Sequence, residues 1–103
     1  MDYEVTRQGN DVVIKLNGKM TYRDHEGFRK LRELFGDGVR DMVLALASVS
    51  FIDSAGLGML LILQDEAKRL GVSLTVRGAT GQVRRVFVAS EMSKVLNWQD
   101  IPQ

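Results

Sequence analysis

One short segment holds the residue types from which a reactive or modifiable site could be built. It runs from Ser50 to Gly58 and includes Asp53, Ser54 and Gly56. A serine hydroxyl can act as a nucleophile, cap a helix or accept a phosphate, and an aspartate carboxylate can cap a helix or orient a hydroxyl. Which of these roles applies depends on the groups available to assist and on the elements that position the segment.

The chain has few groups that could assist catalysis. It holds no cysteine and a single histidine, His25. Disulfides, thiolate metal sites and a cysteine nucleophile are therefore excluded, and a two-histidine metal site cannot be assembled. No motif ties His25 to Ser54, and a serine hydroxyl without a base is a weak nucleophile. We expect no enzyme activity, no catalytic residue, no cofactor and no metal site.

The charge and hydrophobicity of the chain limit the partners and the cellular location that we expect for it. The 103 residues include 14 basic and 13 acidic ones, a formal net charge of +1, which argues against a nucleic-acid-binding domain. Apolar runs such as residues 59–63 are far below the ~20 residues that span a bilayer, and the N-terminus lacks a signal-peptide pattern. We expect one cytoplasmic domain over residues 1–103, without direct nucleic-acid contact and without membrane insertion.

Strand patterns occur on both sides of the segment. Residues 3–7 and 12–16 are rich in β-branched side chains, and the turn at residues 9–10 predicts an antiparallel hairpin. The nearly continuous apolar run at residues 42–47 predicts a strand covered on both faces. Residues 72–76 predict a further strand.

Helix signals alternate with these strands. Thr21 and Asp24 predict a capping box before a first helix that ends at Gly36. A second helix is predicted over residues 54–70, its first half apolar nearly all round and therefore deeply packed, and a third begins near Thr80. An initial hairpin followed by alternating helices and strands indicates an α/β domain, with a mixed sheet packed against helices.

The segment thus lies where a buried strand ends and a helix begins, the edge of an α/β sheet where ligands usually bind. Ser54 is expected at or next to the helix N-cap, where free amide groups and the helix dipole favour negative charge. Two interpretations stay open. Asp53 and Ser54 either cap the helix while Gly56 and Gly58 allow close packing on the strand, or the segment is a modification or anion site whose glycines leave room for a partner or phosphate.

The residues that carry a family resemblance are those of this segment. The sequence FIDSAGLG at residues 51–58, after an apolar strand, resembles the signature of STAS domains, and most closely that of bacterial anti-sigma factor antagonists. The resemblance extends over essentially the whole chain. It implies a partner switch in the regulation of transcription. The unphosphorylated protein binds an anti-sigma factor serine kinase and frees a sigma factor, and the phosphorylated protein releases the kinase until a serine phosphatase restores it.

The resemblance also implies roles for individual residues. Ser54 is the phosphoacceptor, and Asp53 orients its hydroxyl or helps to dock the kinase. The partner-binding surface consists of Ser50, Asp53, Ala55, Gly56, Leu57, Gly58 and Met59. The last helix common in the family is expected to be shortened, which would expose an apolar surface for a partner or for a homodimer.

A second hypothesis keeps the fold without the switch. STAS domains also act as scaffold subunits of transporter ATPases or of sensory complexes. In that case Ser54 is only a helix cap, and the residues around it form a constitutive docking surface.

Overall fold

A computed structural model of the protein describes residues 1–36 and 38–100. Within them, five strands form one sheet in the order β1-β2-β3-β4-β5. The strands are β1 (Asp2–Gln8), β2 (Asp11–Met20), β3 (Asp41–Ile52), β4 (Ser73–Arg77) and β5 (Trp98–Gln99). β1 pairs with β2 antiparallel and the other neighbours pair in parallel, so the predicted hairpin and mixed sheet are confirmed. The domain predicted over residues 1–103 includes residue 37 and residues 101–103, which lie outside the described ones.

Three α-helices connect or follow the strands in the described part of the chain. They are α1 (His25–Glu33), α2 (Ser54–Leu70) and α3 (Gly81–Ala89). Short 3-10 helices occupy Tyr22–Asp24 and Met92–Lys94. The predicted end of the second helix is confirmed, since Gly71 adopts the left-handed conformation at its C-cap.

The sheet carries its helices on one face, so the prediction that the central strand is covered on both faces is wrong. Met42, Leu44 and Leu46 of β3 are at most 1% exposed. Val43 and Ala45, which alternate with them, are only half-buried. Apolar residues tolerate partial exposure, so a continuous apolar run in the sequence does not show that both faces are covered.

β3 extends five residues further than the predicted run and contains two irregularities. Its pairing with β2 shifts between Lys15 and Asn17 and again between Gly18 and Lys19. Each shift inserts an extra residue in β3, and such bulges change which face the following side chains occupy. The first shift reverses the alternation of buried and exposed residues and the second restores it, so that Phe51 is 39% exposed while the adjacent Ile52 is 1% exposed.

The first turns of α2 pack closely on the end of β2, and a glycine makes this approach feasible. A Cβ added at Gly56 would overlap the Met20 carbonyl oxygen and lie 2.8 Å from Cγ1 of Ile52. Close packing therefore accounts for Gly56, and the idea that it leaves room for a partner or phosphate is wrong. Gly58 differs, because nothing lies within 4 Å of its Cβ position.

The predicted deep packing of the first half of α2 is confirmed only on its inner side. Met59, Leu60 and Leu63 are at most 3% exposed. Ile62, however, is 48% exposed. The first half of α2 is apolar nearly all round, but the sheet covers only its inner side, so apolar surface is left exposed on the outer side.

The two glycines of α2 provide a matched test of this packing. We expect Gly56→Ala to lower the free energy of unfolding by about 1–3 kcal/mol, because the new methyl group collides with backbone. Gly58→Ala has room for its methyl group and should raise the stability by up to about 1 kcal/mol through helix propensity. Urea denaturation of both variants measures the difference. Equal stabilities would contradict the packing described here.

Candidate functional site

The carboxylate of Asp53 fixes the start of α2. Asp53 is the N-cap residue, and its Oδ1 accepts a hydrogen bond of 2.8 Å from the amide of Gly56. Its Oδ2 accepts a second bond of 3.1 Å from the amide of Tyr22, in the turn that follows β2. The Asp53 amide also donates to the Met20 carbonyl at 3.2 Å. One side chain therefore caps the helix and ties it to the turn beside it.

Ser54 takes no part in the cap. It is the first residue of α2, its side chain is exposed, and within the described residues its hydroxyl makes no hydrogen bond. Both carboxylate oxygens of Asp53 accept from backbone amides, and within the described residues neither is hydrogen-bonded to the Ser54 hydroxyl. The orienting or docking role that the resemblance implies for Asp53 stays a prediction. The hydroxyl thus stands free at the positive end of the helix dipole.

The turn that supplies the Tyr22 amide is itself held by a capping box. The predicted box at Thr21 and Asp24 is confirmed, although it opens the 3-10 helix rather than α1 itself. The Thr21 amide donates to Oδ2 of Asp24 at 2.7 Å, and the Met1 amino group donates to Oδ1 at 2.8 Å. Burial raises the pKa of Asp24, but the hydrogen bonds from these two groups outweigh it and lower that pKa below its usual value.

A glutamine that the sequence analysis did not single out holds the end of β3. Gln82, in the first turn of α3, donates from Nε2 to the Ile52 carbonyl and accepts at Oε1 from the Ile52 amide, both at 2.9 Å. β4 ends before it can pair with this part of β3, so the side chain takes the place of a neighbouring strand. Nothing in the local sequence pattern marks this role, because it depends on a contact between residues 30 positions apart.

An open groove of about 500 Å³ lies beside Asp53. Tyr22 and Phe51, two of its lining residues, are 58% and 39% exposed. The full lining consists of Lys19, Thr21, Tyr22, Arg23, Phe51 and Asp53. Because Ser54 follows Asp53, the groove adjoins the free hydroxyl. Lys19, Tyr22 and Arg23 were not among the predicted partner-binding residues, since their position depends on the register between β2 and β3.

The predicted partner-binding residues divide into exposed and buried ones. Ser50 is exposed, and its hydroxyl donates to the Gly18 carbonyl at 3.4 Å beside the second irregularity of β3. Asp53, Ala55, Leu57 and Gly58 are half-buried. Gly56 is buried and Met59 is 3% exposed. The side chain of Met59 belongs to the core, so these two residues support the surface from beneath rather than form it.

Fold and site together define a STAS domain. The family model described as "Mlab, STAS domain" matches residues 3–97, and the chain belongs to this family. The resemblance found in the sequence is thereby confirmed. The described residues contain no helix of sufficient length and hydrophobicity to cross a membrane.

Individual relatives share most of the chain at low identity. A STAS-domain containing protein of Pseudomonas aeruginosa (strain UCBPP-PA14) is 26% identical over 84% of this chain and 86% of its own. The solved structure of the anti-sigma factor antagonist SpoIIAA in its unphosphorylated form matches with a TM-score of 0.75 at 22% identity, covering 99% of this chain and 90% of that one. The phosphorylated form from Bacillus matches with a TM-score of 0.73 at 21% identity, covering 99% and 93%.

The same fold also occurs in a transport protein. A sulfate transporter family protein from Wolinella succinogenes matches with a TM-score of 0.73 at 15% identity, covering 84% of this chain and 71% of that one. Matches at such identities establish the fold, which is that of the anti-sigma factor antagonists.

The lowered pKa of Asp24 predicts a pH-dependent contribution to stability. A carboxylate whose pKa is lower in the folded state stabilises the fold above the unfolded pKa, and this stability is lost as pH falls through the folded pKa. We expect Asp24→Asn to lower the free energy of unfolding by about 1–2 kcal/mol at pH 7, and the difference from the parent chain to shrink below about pH 4.

Chemical denaturation between pH 2.5 and 7 measures this difference. Glu26→Gln is a suitable control, because its ion pair with Arg29 is exposed and should contribute less than about 0.5 kcal/mol at any pH. A difference for Asp24→Asn that does not change with pH would contradict the role given to the carboxylate.

Proposed function

We propose that this protein is a phosphorylation-switched binding protein of the anti-sigma factor antagonist type, with Ser54 as the phosphoacceptor. The observation that carries the proposal is that Asp53 and Ser54, at the start of α2, have separate roles. Asp53 supplies the cap, and the exposed Ser54 hydroxyl makes no hydrogen bond in the described part of the chain. A kinase can therefore modify the hydroxyl without removing a contact on which the fold depends.

The physical effect of the phosphate supports a switch that acts on binding. Phosphorylation adds about 1.5–2 negative charges, and the positive end of α2 tolerates them in the free protein. In a complex the same charge would be desolvated against the partner, at a cost of several kcal/mol. About 4 kcal/mol corresponds to a ~1,000-fold loss of affinity, so release of the partner needs no refolding.

The partner in this proposal is an anti-sigma factor serine kinase, and a serine phosphatase reverses its action. The exposed or half-buried residues Ser50, Ala55, Leu57 and Gly58 surround Ser54 and form the contact surface. The protein is then a cytoplasmic substrate of enzymes in the regulation of transcription and is not itself an enzyme. Structural similarity to SpoIIAA, which has been solved in unphosphorylated and phosphorylated forms, supports this assignment.

A scaffold subunit of a transporter ATPase or sensory complex is the second candidate. The match to a sulfate transporter family protein favours it, because the same fold there belongs to a transport system. In this case the surface around Ser54 would bind its partner permanently, and Ser54 would carry no phosphate.

The two candidates differ in what happens at Ser54. We expect incubation with ATP and the purified histidine-kinase-like serine kinases of the source genome, tested one by one, to phosphorylate the chain at Ser54 with one of them. Ser54→Ala should abolish labelling and keep kinase binding, and Ser54→Asp should weaken binding at least about tenfold, or ~1.4 kcal/mol. Mass spectrometry locates the phosphate and calorimetry gives the affinities.

Ser73→Ala is the matched control, because Ser73 is also exposed but lies at the start of β4, at the opposite end of the sheet from Ser54. It should be labelled like the parent chain. Labelling of Ser54→Ala, or full binding of the kinase by Ser54→Asp, would refute the switch. Recovery of a transporter ATPase and no kinase in affinity purification would establish the scaffold instead.

A further inference from the structure

The groove beside Asp53 has the composition of a protein-binding surface. Tyr22 and Phe51 are 58% and 39% exposed and line it together. Adjacent exposed aromatic side chains mark interaction sites, because aromatic residues and arginine are enriched in the buried centres of interfaces. Phe51 faces away from the core because the second irregularity of β3 restores the alternation that the first one reversed.

The lining of the groove has a net positive charge, since it holds two cations, Lys19 and Arg23, and one carboxylate, that of Asp53. Lys19 and Arg23 are exposed, and among the described residues neither forms a salt bridge. Asp53, the acidic residue of the lining, has both carboxylate oxygens occupied by backbone amides. These two bonds fix the position of its side chain between the helix start and the turn.

One of the two cations is already held in position. Nε of Arg23 donates to the Tyr22 hydroxyl at 3.2 Å, and the guanidinium lies 5.6 Å from the centre of the Tyr22 ring. Such a cation–π contact leaves the remaining guanidinium N–H groups free to bind a carboxylate. Less side-chain entropy is lost on binding when the cation is held in this way.

From this arrangement we propose that the groove binds an acidic segment of a partner protein. Carboxylates of the segment pair with Lys19 and Arg23, while an apolar or aromatic side chain packs on Tyr22 and Phe51. The assignment of this segment to the kinase rests on the proposed function. A phosphate on the neighbouring Ser54 would then face the partner's carboxylates. Their like-charge repulsion would add to the desolvation cost of the phosphate in the complex, and both would favour release of the partner.

Three synthetic peptides test the chemistry of the groove without the kinase. They are the acidic acetyl-EDFEL-amide, the neutral acetyl-QNFQL-amide and the basic acetyl-KKFKL-amide. Each is titrated into the ¹⁵N-labelled full chain at about 50 mM salt. We expect the acidic peptide to shift the amide signals of residues 19–23 and 51–54 and to bind about fivefold or more tightly than the neutral one. Its affinity should fall as salt screens the charges, and the basic peptide should bind weakest.

Charge variants locate the effect. The double variant Lys19→Gln/Arg23→Gln should bind the acidic peptide about fivefold more weakly, and the control Lys68→Gln/Arg85→Gln, two exposed cations on α2 and α3, should bind it like the parent chain. Amide spectra of the free variants verify the fold.

Equal affinity for acidic and neutral peptides, an unchanged affinity of the first double variant, or no saturable shift at these residues would overturn the proposal. Failure of the kinase experiment with a positive peptide result would leave the groove intact and refute only the identity of the partner.

Discussion

The two hydrogen bonds of the Asp53 carboxylate hold the site together. One oxygen satisfies an amide in the first turn of α2, which has no carbonyl partner within the helix. The other reaches 31 positions back along the chain to the amide of Tyr22. A single charged group thereby sets both the start of the helix and the position of the turn after β2. Because that group meets the capping requirement, the neighbouring serine is left free.

The surroundings of Asp53 are built to keep this arrangement in place. Gln82 satisfies both backbone groups of Ile52, the residue immediately before Asp53. Gly56 allows α2 to approach the Met20 carbonyl, which in turn accepts from the Asp53 amide. At the site, β2, β3, α2 and α3 are therefore joined by hydrogen bonds and close packing. Support of this kind suits a surface that must present one hydroxyl and one groove in a defined geometry.

Much of the fold follows from local patterns in the sequence. The hairpin, the capping box at Thr21 and the helix stop at Gly71 each depend on a few adjacent residues, and each was predicted correctly. The partial exposure of one face of β3 was not predicted, because Val43 and Ala45 on that face are apolar residues. Apolar residues occur on both sides of such a strand, and the sequence alone does not distinguish the sides.

The site could be predicted only in part for a related reason. Asp53 and Ser54 are adjacent, and their place at a helix start was predicted from the sequence. The groove brings together residues 19–23 and residues 51–53, and their meeting depends on a register that two irregularities shift. Gln82 reaches Ile52 from another helix altogether. The burial of Met59 likewise depends on which side of α2 meets the sheet.

The central claim is that Asp53 alone caps α2 and that the Ser54 hydroxyl contributes nothing to the cap. Its most direct test is the stability of the chain with phosphoserine incorporated at position 54. A hydroxyl that contributes nothing to the cap can be phosphorylated without loss of structure. The free energy of unfolding should therefore be unchanged, or up to about 1 kcal/mol higher because of the helix dipole, with amide shifts confined to the start of α2 and the adjacent groove. A loss of more than about 2 kcal/mol, with shifts spreading through α2 and β3, would show that the hydroxyl helps to stabilise the fold and would contradict the claim that Asp53 alone caps α2.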